Sequence, residues 1–231
     1  MFNFKTPDAL STALFMAVVS WIIFAVLFSV YRSYRYRAKH AALITAAVAA
    51  GLAVWLFFIY GIVRSGALLE QSMPRLVWFF VGVNLVSLLF AIGPVGGALA
   101  KNLSFSAFVG FHFFRFPLEL ILHRWALDGV IPMTMTWTGQ NFDVATGLLS
   151  ILTLALMRPR PAQARRLALI FNVIGFALLL NVGRVAMLSS PLQLVMHVPY
   201  FLIAPVCVGG ALVAHVILFR KLIGTKTSRP H

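Results

Sequence analysis

Acidic residues are almost absent: only Asp8, Glu70, Glu119, Asp128 and Asp143 occur in 231 residues, against nineteen Lys and Arg. Charged residues make up 10% of the chain, well below the roughly 25% typical of soluble domains. A soluble globular fold is therefore excluded. There is one cysteine, Cys207, so no intrachain disulfide can form, and the thiol reads as a small buried hydrophobe. No G-x-S-x-G elbow or phosphate-binding loop occurs, and no HxxxH or ExxH pair suited to a metal. The last apolar segment has no lysine at mid-membrane depth, which removes the Schiff base of a retinal pigment.

What is present is apolar. Hydrophobic residues make up 61% of the chain and the mean hydropathy is +0.94, the range of polytopic membrane proteins. The formal charge of +14 does not indicate nucleic acid, because the basic residues flank apolar segments instead of forming a stripe beside aromatic platforms. They report topology and contact with anionic membrane lipid.

A span of the ~30 Å hydrocarbon core needs about 20 helical residues. Seven segments qualify or come close: Ala9–Tyr31, Ala41–Val63, Leu76–Leu99, Leu103–Leu127, Val144–Met157, Leu167–Leu188 and Leu194–Leu222. The N-terminal MFNFKTPDAL lacks a basic leader and the first segment is expected to be retained as a helix. Gly93, Pro94, Gly96 and Gly97 are expected to kink or fray the end of the third segment. The fifth is short, at about 21 Å, so the preceding Gly139–Asp143 turn must dip below the interface, where protein or water has to cover its backbone. Asp143 then sits at a helix start, as a cap or beside a bound anion.

The sequence thus predicts an all-α fold, a polytopic membrane bundle of seven transmembrane helices, with one domain over 1–223 and a short cytoplasmic tail over 224–231. Alternate connections place thirteen of the nineteen basic residues on one side: Arg32, Arg35, Arg37, Lys39, Lys101, Arg158, Arg160, Arg165, Arg166, Arg220, Lys221, Lys226 and Arg229. By the positive-inside rule the N-terminus is outside and the C-terminus cytoplasmic. Tyr31, Tyr34 and Tyr36, interleaved with the first cluster, suit headgroup depth.

Polar chemistry is concentrated between Ser104 and Gly147. Arg115, Glu119 and His123 recur every four residues and share one helix face. Each ionisable group costs roughly 2.5 kcal/mol or more near the bilayer centre unless it faces an interior or a partner. If the fourth segment starts at the cytoplasmic face, these three lie about 16, 22 and 28 Å up the helix. Glu119, His123, Asn141, Asp143, Asn181, Arg184 and His197 then converge on the outer half of the membrane. They form a polar cup open to the extracytoplasmic side or outer leaflet, with Val130–Thr138 as its lid or rim. His112 and His123 are about 16 Å apart and cannot share one metal ion.

The run R-x-P-x-E at Arg115, Pro117 and Glu119 is followed by P-x-x-M-T from Pro132 and G-x-N-F-D at Gly139–Asp143. This pattern resembles an uncharacterised family of bacterial seven-helix membrane proteins. The likeness continues through Asn172, Asn181 and Ser189-Ser190-Pro191. In the family pattern Arg commonly precedes the Asn of N-F-D, whereas Gln140 stands here, so an anion-pairing role does not carry over to that position. The resemblance implies a bacterial inner-membrane location and brings no activity.

These residues point to a pocket that binds, and can modify, a lipid-linked or amphipathic substrate. Glu119 and Asp143 are the acid and base candidates, with His123 or His197 moving protons. Arg115 or Arg184 stabilises anionic charge, and Asn141 and Asn181 supply hydrogen bonds. A small proton-coupled transporter is the alternative reading. A non-catalytic accessory subunit, with the polar groups as internal glue, is the second. The sequence assigns no cofactor, no metal and no protein partner.

Overall fold

A computed structural model describes residues 5–36, 38–68, 73–188 and 192–224. Among them every regular element is helical. Arg37, Glu70, Ser72, Ser189-Ser190-Pro191 and the tail from residue 225 lie outside the described residues.

Asp8 starts the first helix, α1 (Ala9–Tyr34), its carboxylate accepting from the Ser11 amide at 2.9 Å. α2 (Ala38–Arg64) comes next, and α3 (Met73–Ile92) stops at Gly93, where Pro94 opens α4 (Pro94–Asn102). The Gly/Pro run thus makes a break with a new short helix. Proline at a first helical position forfeits no hydrogen bond, which is why α4 restarts there.

The fourth predicted segment is three pieces: α5 (Phe105–Phe111), a 3-10 turn at His112–Phe114, and α6 (Arg115–Leu127). Pro117 explains the turn. Its ring collides with the carbonyl four residues back, Phe113, and it has no N–H to bond there. The tighter turn absorbs that mismatch and re-aims the side chains of Arg115 and Glu119.

α7 (Val144–Met157) has 14 residues and α8 (Ala164–Leu188) has 25. The seventh segment departs from its predicted start at Leu194. Pro199 and Pro205 keep a regular helix from forming there. Residues Leu192–Met196 and Tyr200–Ile203 are 3-10 turns, Ala204–Val208 is a π-helical turn, and α9 (Gly209–Gly224) begins only afterwards. Among the described residues, six helical stretches are long and apolar enough to cross a membrane, and α7 is a shorter apolar helix.

In lipid, helices associate through close packing and hydrogen bonds because apolar burial gives little drive. Two glycines permit the approaches that matter here. A Cβ on Gly147 of α7 would lie 2.5 Å from the Phe116 amide nitrogen, and one on Gly175 of α8 would lie 2.8 Å from Cε1 of His215. At one end Trp125 donates to Ser11 Oγ at 2.8 Å, and the Thr12 and Tyr200 hydroxyls meet at 2.8 Å. At the opposite end Asn102 donates to Ser33 O, Lys221 to Ala100 O and Arg165 to Leu222 O, at 2.8, 3.0 and 2.9 Å. These contacts gather the basic ends of α1, α4, α8 and α9 on one side.

Candidate functional site

The break before α6 and the Gly147 contact bring Arg115 against the first turn of α7. Arg115 is 1% exposed, and its Nη1 pairs with Asp143 Oδ1 at 2.9 Å. The same nitrogen reaches Gly175 O at 3.4 Å, and Thr146 donates to Asp143 Oδ1 at 3.1 Å. A buried guanidinium needs such compensation, since desolvating either charge alone costs several kcal/mol.

Glu119 is also buried and lies one helical turn beyond Arg115. It makes no ion pair among the described residues. Its Oε1 accepts from Asn141 Nδ2 at 3.0 Å, while Oε2 has no hydrogen-bond partner among the described residues. Asn141 is itself fixed: its Nδ2 also donates to Met135 O, and its Oδ1 accepts from the Asp143 amide. The N-F-D turn therefore organises both carboxylates, pairing Asp143 directly and orienting Glu119 through Asn141.

These four residues line one wall of a cavity of about 80 Å³. The remainder is apolar and includes Leu118, Leu122, Ile131, Leu179, Leu194 and Cys207. An engineered cavity of about 150 Å³ holds benzene, and this void is about half that size. The polar space is narrower than the cup predicted from helical spacing.

The other predicted site residues are placed elsewhere. His123 stacks on Trp137 with ring centroids 4.1 Å apart, and it does not line the cavity. Asn181 donates to Gln140 O at 2.7 Å, and Arg184 bonds Asn181 Oδ1 and Gln140 Oε1. This exposed cluster latches the start of the N-F-D turn from outside the cavity. Gln140 Oε1 accepts from Arg184. His197 sits in the bend before Tyr200, and burial holds its imidazole below the usual range.

A second polar cluster was not anticipated from spacing. His112 and His215 are fully buried, with rings stacked 4.0 Å apart. His215 Nδ1 bonds Asn172 Oδ1 at 2.7 Å, and Asn172 Nδ2 returns a bond to His215 O. Both ring nitrogens of His112 and Nε2 of His215 have no partner among the described residues. The two histidines are 103 residues apart in sequence and meet by direct ring stacking, with Gly175 leaving room for the His215 ring. Among the described residues no group of three or more His, Cys, Asp or Glu side chains is arranged to hold a metal.

The family described as a domain of unknown function (DUF8737) matches residues 72–223. The chain belongs to that family. No curated protein and no solved structure matches it. The matched region runs from the start of α3 almost to the end of α9, and so includes all of the cavity's polar wall, Arg115, Glu119, Asn141 and Asp143. α1 lies outside that region and covers it, with Phe15, Val19 and Ile22 packed in one core with Trp125 and Tyr200.

Proposed function

We propose that this chain is a seven-span protein of the bacterial inner membrane, a single domain over 1–223, with its N-terminus outside and its basic loops in the cytoplasm against anionic lipid. Its enclosed cavity binds the reactive end of a lipid-linked or amphipathic substrate and supports an acid–base step there. The observation that carries this reading is the cavity's two-sided lining: Arg115, Glu119, Asn141 and Asp143 on one wall, apolar side chains on the rest. A small polar group joined to an apolar chain matches that lining.

The two carboxylates take different roles. Asp143 is held by Arg115 and Thr146, and it fixes the guanidinium that stabilises anionic charge on the substrate. Glu119 exchanges the proton. Asn141 holds Oε1 and leaves Oε2 for the substrate. On the basic side of the histidine pair, Phe108, Phe171, Ile217 and Leu218 form a buried apolar layer. Such a layer between the polar residues and the basic end favours a binding pocket over a carrier.

Native mass spectrometry of the protein gently extracted from its own membrane tests this. Wild type should retain an amphipathic molecule that Glu119→Gln loses while remaining folded. Wild type without any specific ligand would overturn the reading and favour the polar groups as internal glue.

A further inference from the structure

A second cavity, unrelated to the polar wall, lies between α2 and the rest of the bundle. It measures about 440 Å³ and is bounded by α1, α2, α3 and the π-helical turn leading into α9. Ile44, Ala47, Val48, Gly51, Leu52 and Trp55 line it from α2. Ser87 is the one hydroxyl in the lining, and it is turned back onto Val83 O. Small residues keep the groove open: a Cβ on Gly51 would meet nothing within 4 Å.

Its length is informative. Ile44 to Trp55 spans about 16 Å of helix, close to half of the ~30 Å hydrocarbon core. The groove is as long as one leaflet is thick. His40 lies one turn before Ile44 on the same α2 stripe, with Lys39 beside it, and both are exposed. Across the mouth, Arg220 donates to the carbonyls of Ala91 and Gly93 at the α3–α4 break, next to the lining residues Phe90 and Val95.

Acids are missing from this end. Among the described residues, Asp8 and Asp128 belong to the opposite end, and Glu119 and Asp143 are enclosed at the first cavity. An apolar slot one leaflet deep beneath an exclusively basic mouth is complementary to an anionic amphipath.

We infer that the groove between α2 and α3–α9 is a binding site for an anionic glycerophospholipid, one acyl chain filling the slot and the phosphate resting at Lys39, His40 and Arg220. The site is independent of the Glu119 cavity. The π-helical turn separates the two: Cys207 and Val208 face the first cavity, Pro205 and Val206 the second.

The test uses the full chain reconstituted with defined mixtures of phosphatidylglycerol and phosphatidylethanolamine, read by native mass spectrometry. Wild type should retain phosphatidylglycerol preferentially. Gly51→Leu and Ala47→Phe fill the slot and should lose it, while Glu119→Gln should retain it. Lys39→Gln, at an exposed position, should lower the preference about fivefold, the equivalent of about 1 kcal/mol per surface charge. Equal retention of both lipids by wild type, or undiminished retention in folded Gly51→Leu and Ala47→Phe, would overturn the proposal. So would a dimer of this chain that disappears in the same two variants, since the occupant would then be a second copy.

Discussion

Arg115 and Asp143 meet at 2.9 Å with side chains 1% and 8% exposed, whereas Glu119, one turn further on, has no ion-pair partner among the described residues. The two carboxylates therefore differ in what their removal does. Asp143→Asn leaves a buried guanidinium without its counter-charge and should cost about 3–5 kcal/mol. Glu119→Gln keeps an oxygen for Asn141 and should cost less than about 1 kcal/mol. Thermal unfolding of the purified variants in one detergent checks the contrast. Equal losses would mean that Glu119 is as structural as Asp143.

Gly147 sets the separation of α6 and α7. With its Cβ position 2.5 Å from the Phe116 nitrogen and 2.8 Å from its Cα, Gly147→Ala meets backbone that cannot turn aside. The helices must part, and the Arg115–Asp143 pair spans their junction. A loss of about 1–3 kcal/mol is expected. Gly61 and Gly183 are the controls, since a Cβ at either meets nothing within 4 Å. Gly61→Ala and Gly183→Ala should leave the unfolding temperature unchanged or raise it, because alanine is the better helix former. The same thermal series reads all three.

The location of the buried polar cluster was legible in the sequence because buried charge in an apolar chain is costly wherever it occurs. Arg115, Glu119, Asn141 and Asp143 could be grouped from four-residue spacing and from a helix too short to span alone. Helical spacing assumes unbroken helices, however. The irregular backbone around Pro199 and Pro205 leaves His197 off any regular helical position. His123, on the same unbroken α6 as Arg115 and Glu119 but a turn further on, stacks on Trp137 and does not line the cavity; nor does His197, while Arg184 and Asn181 latch the turn from outside. The His112–His215 pair was invisible for a different reason: it joins elements distant in sequence, and no local pattern marks a ring contact between them.

Asp8 provides a titration outside the spans. Its carboxylate accepts first from the Ser11 amide and then from the Ser11 hydroxyl, which holds it below the ordinary value of 3.8. A depressed folded value means that the ionised cap stabilises the fold above the unfolded value. That contribution is lost as pH falls through the lowered one. Wild type should therefore lose unfolding temperature on acidification below about pH 4. Asp8→Asn retains a capping oxygen without the charge and should lose less over the same interval. Parallel acid profiles for the two proteins would show that the cap does not titrate with folding.

His112 and His215 are stacked alike but tied down differently. His215 exchanges two hydrogen bonds with Asn172, while neither nitrogen of His112 has a partner among the described residues. Phe171 and Phe111 already surround the His112 ring, with centroids 5.4 and 5.8 Å away. If His112 only fills space, His112→Phe exchanges polar atoms for apolar ones of similar shape and should change stability by less than about 1 kcal/mol. His215→Phe instead strands the Asn172 side-chain oxygen at a fully buried position and should cost about 1–3 kcal/mol. Thermal unfolding of both variants separates the roles. A loss at His112→Phe as large as at His215→Phe would mean that the His112 nitrogens bind something the fold depends on, and would mark the pair as part of the working site.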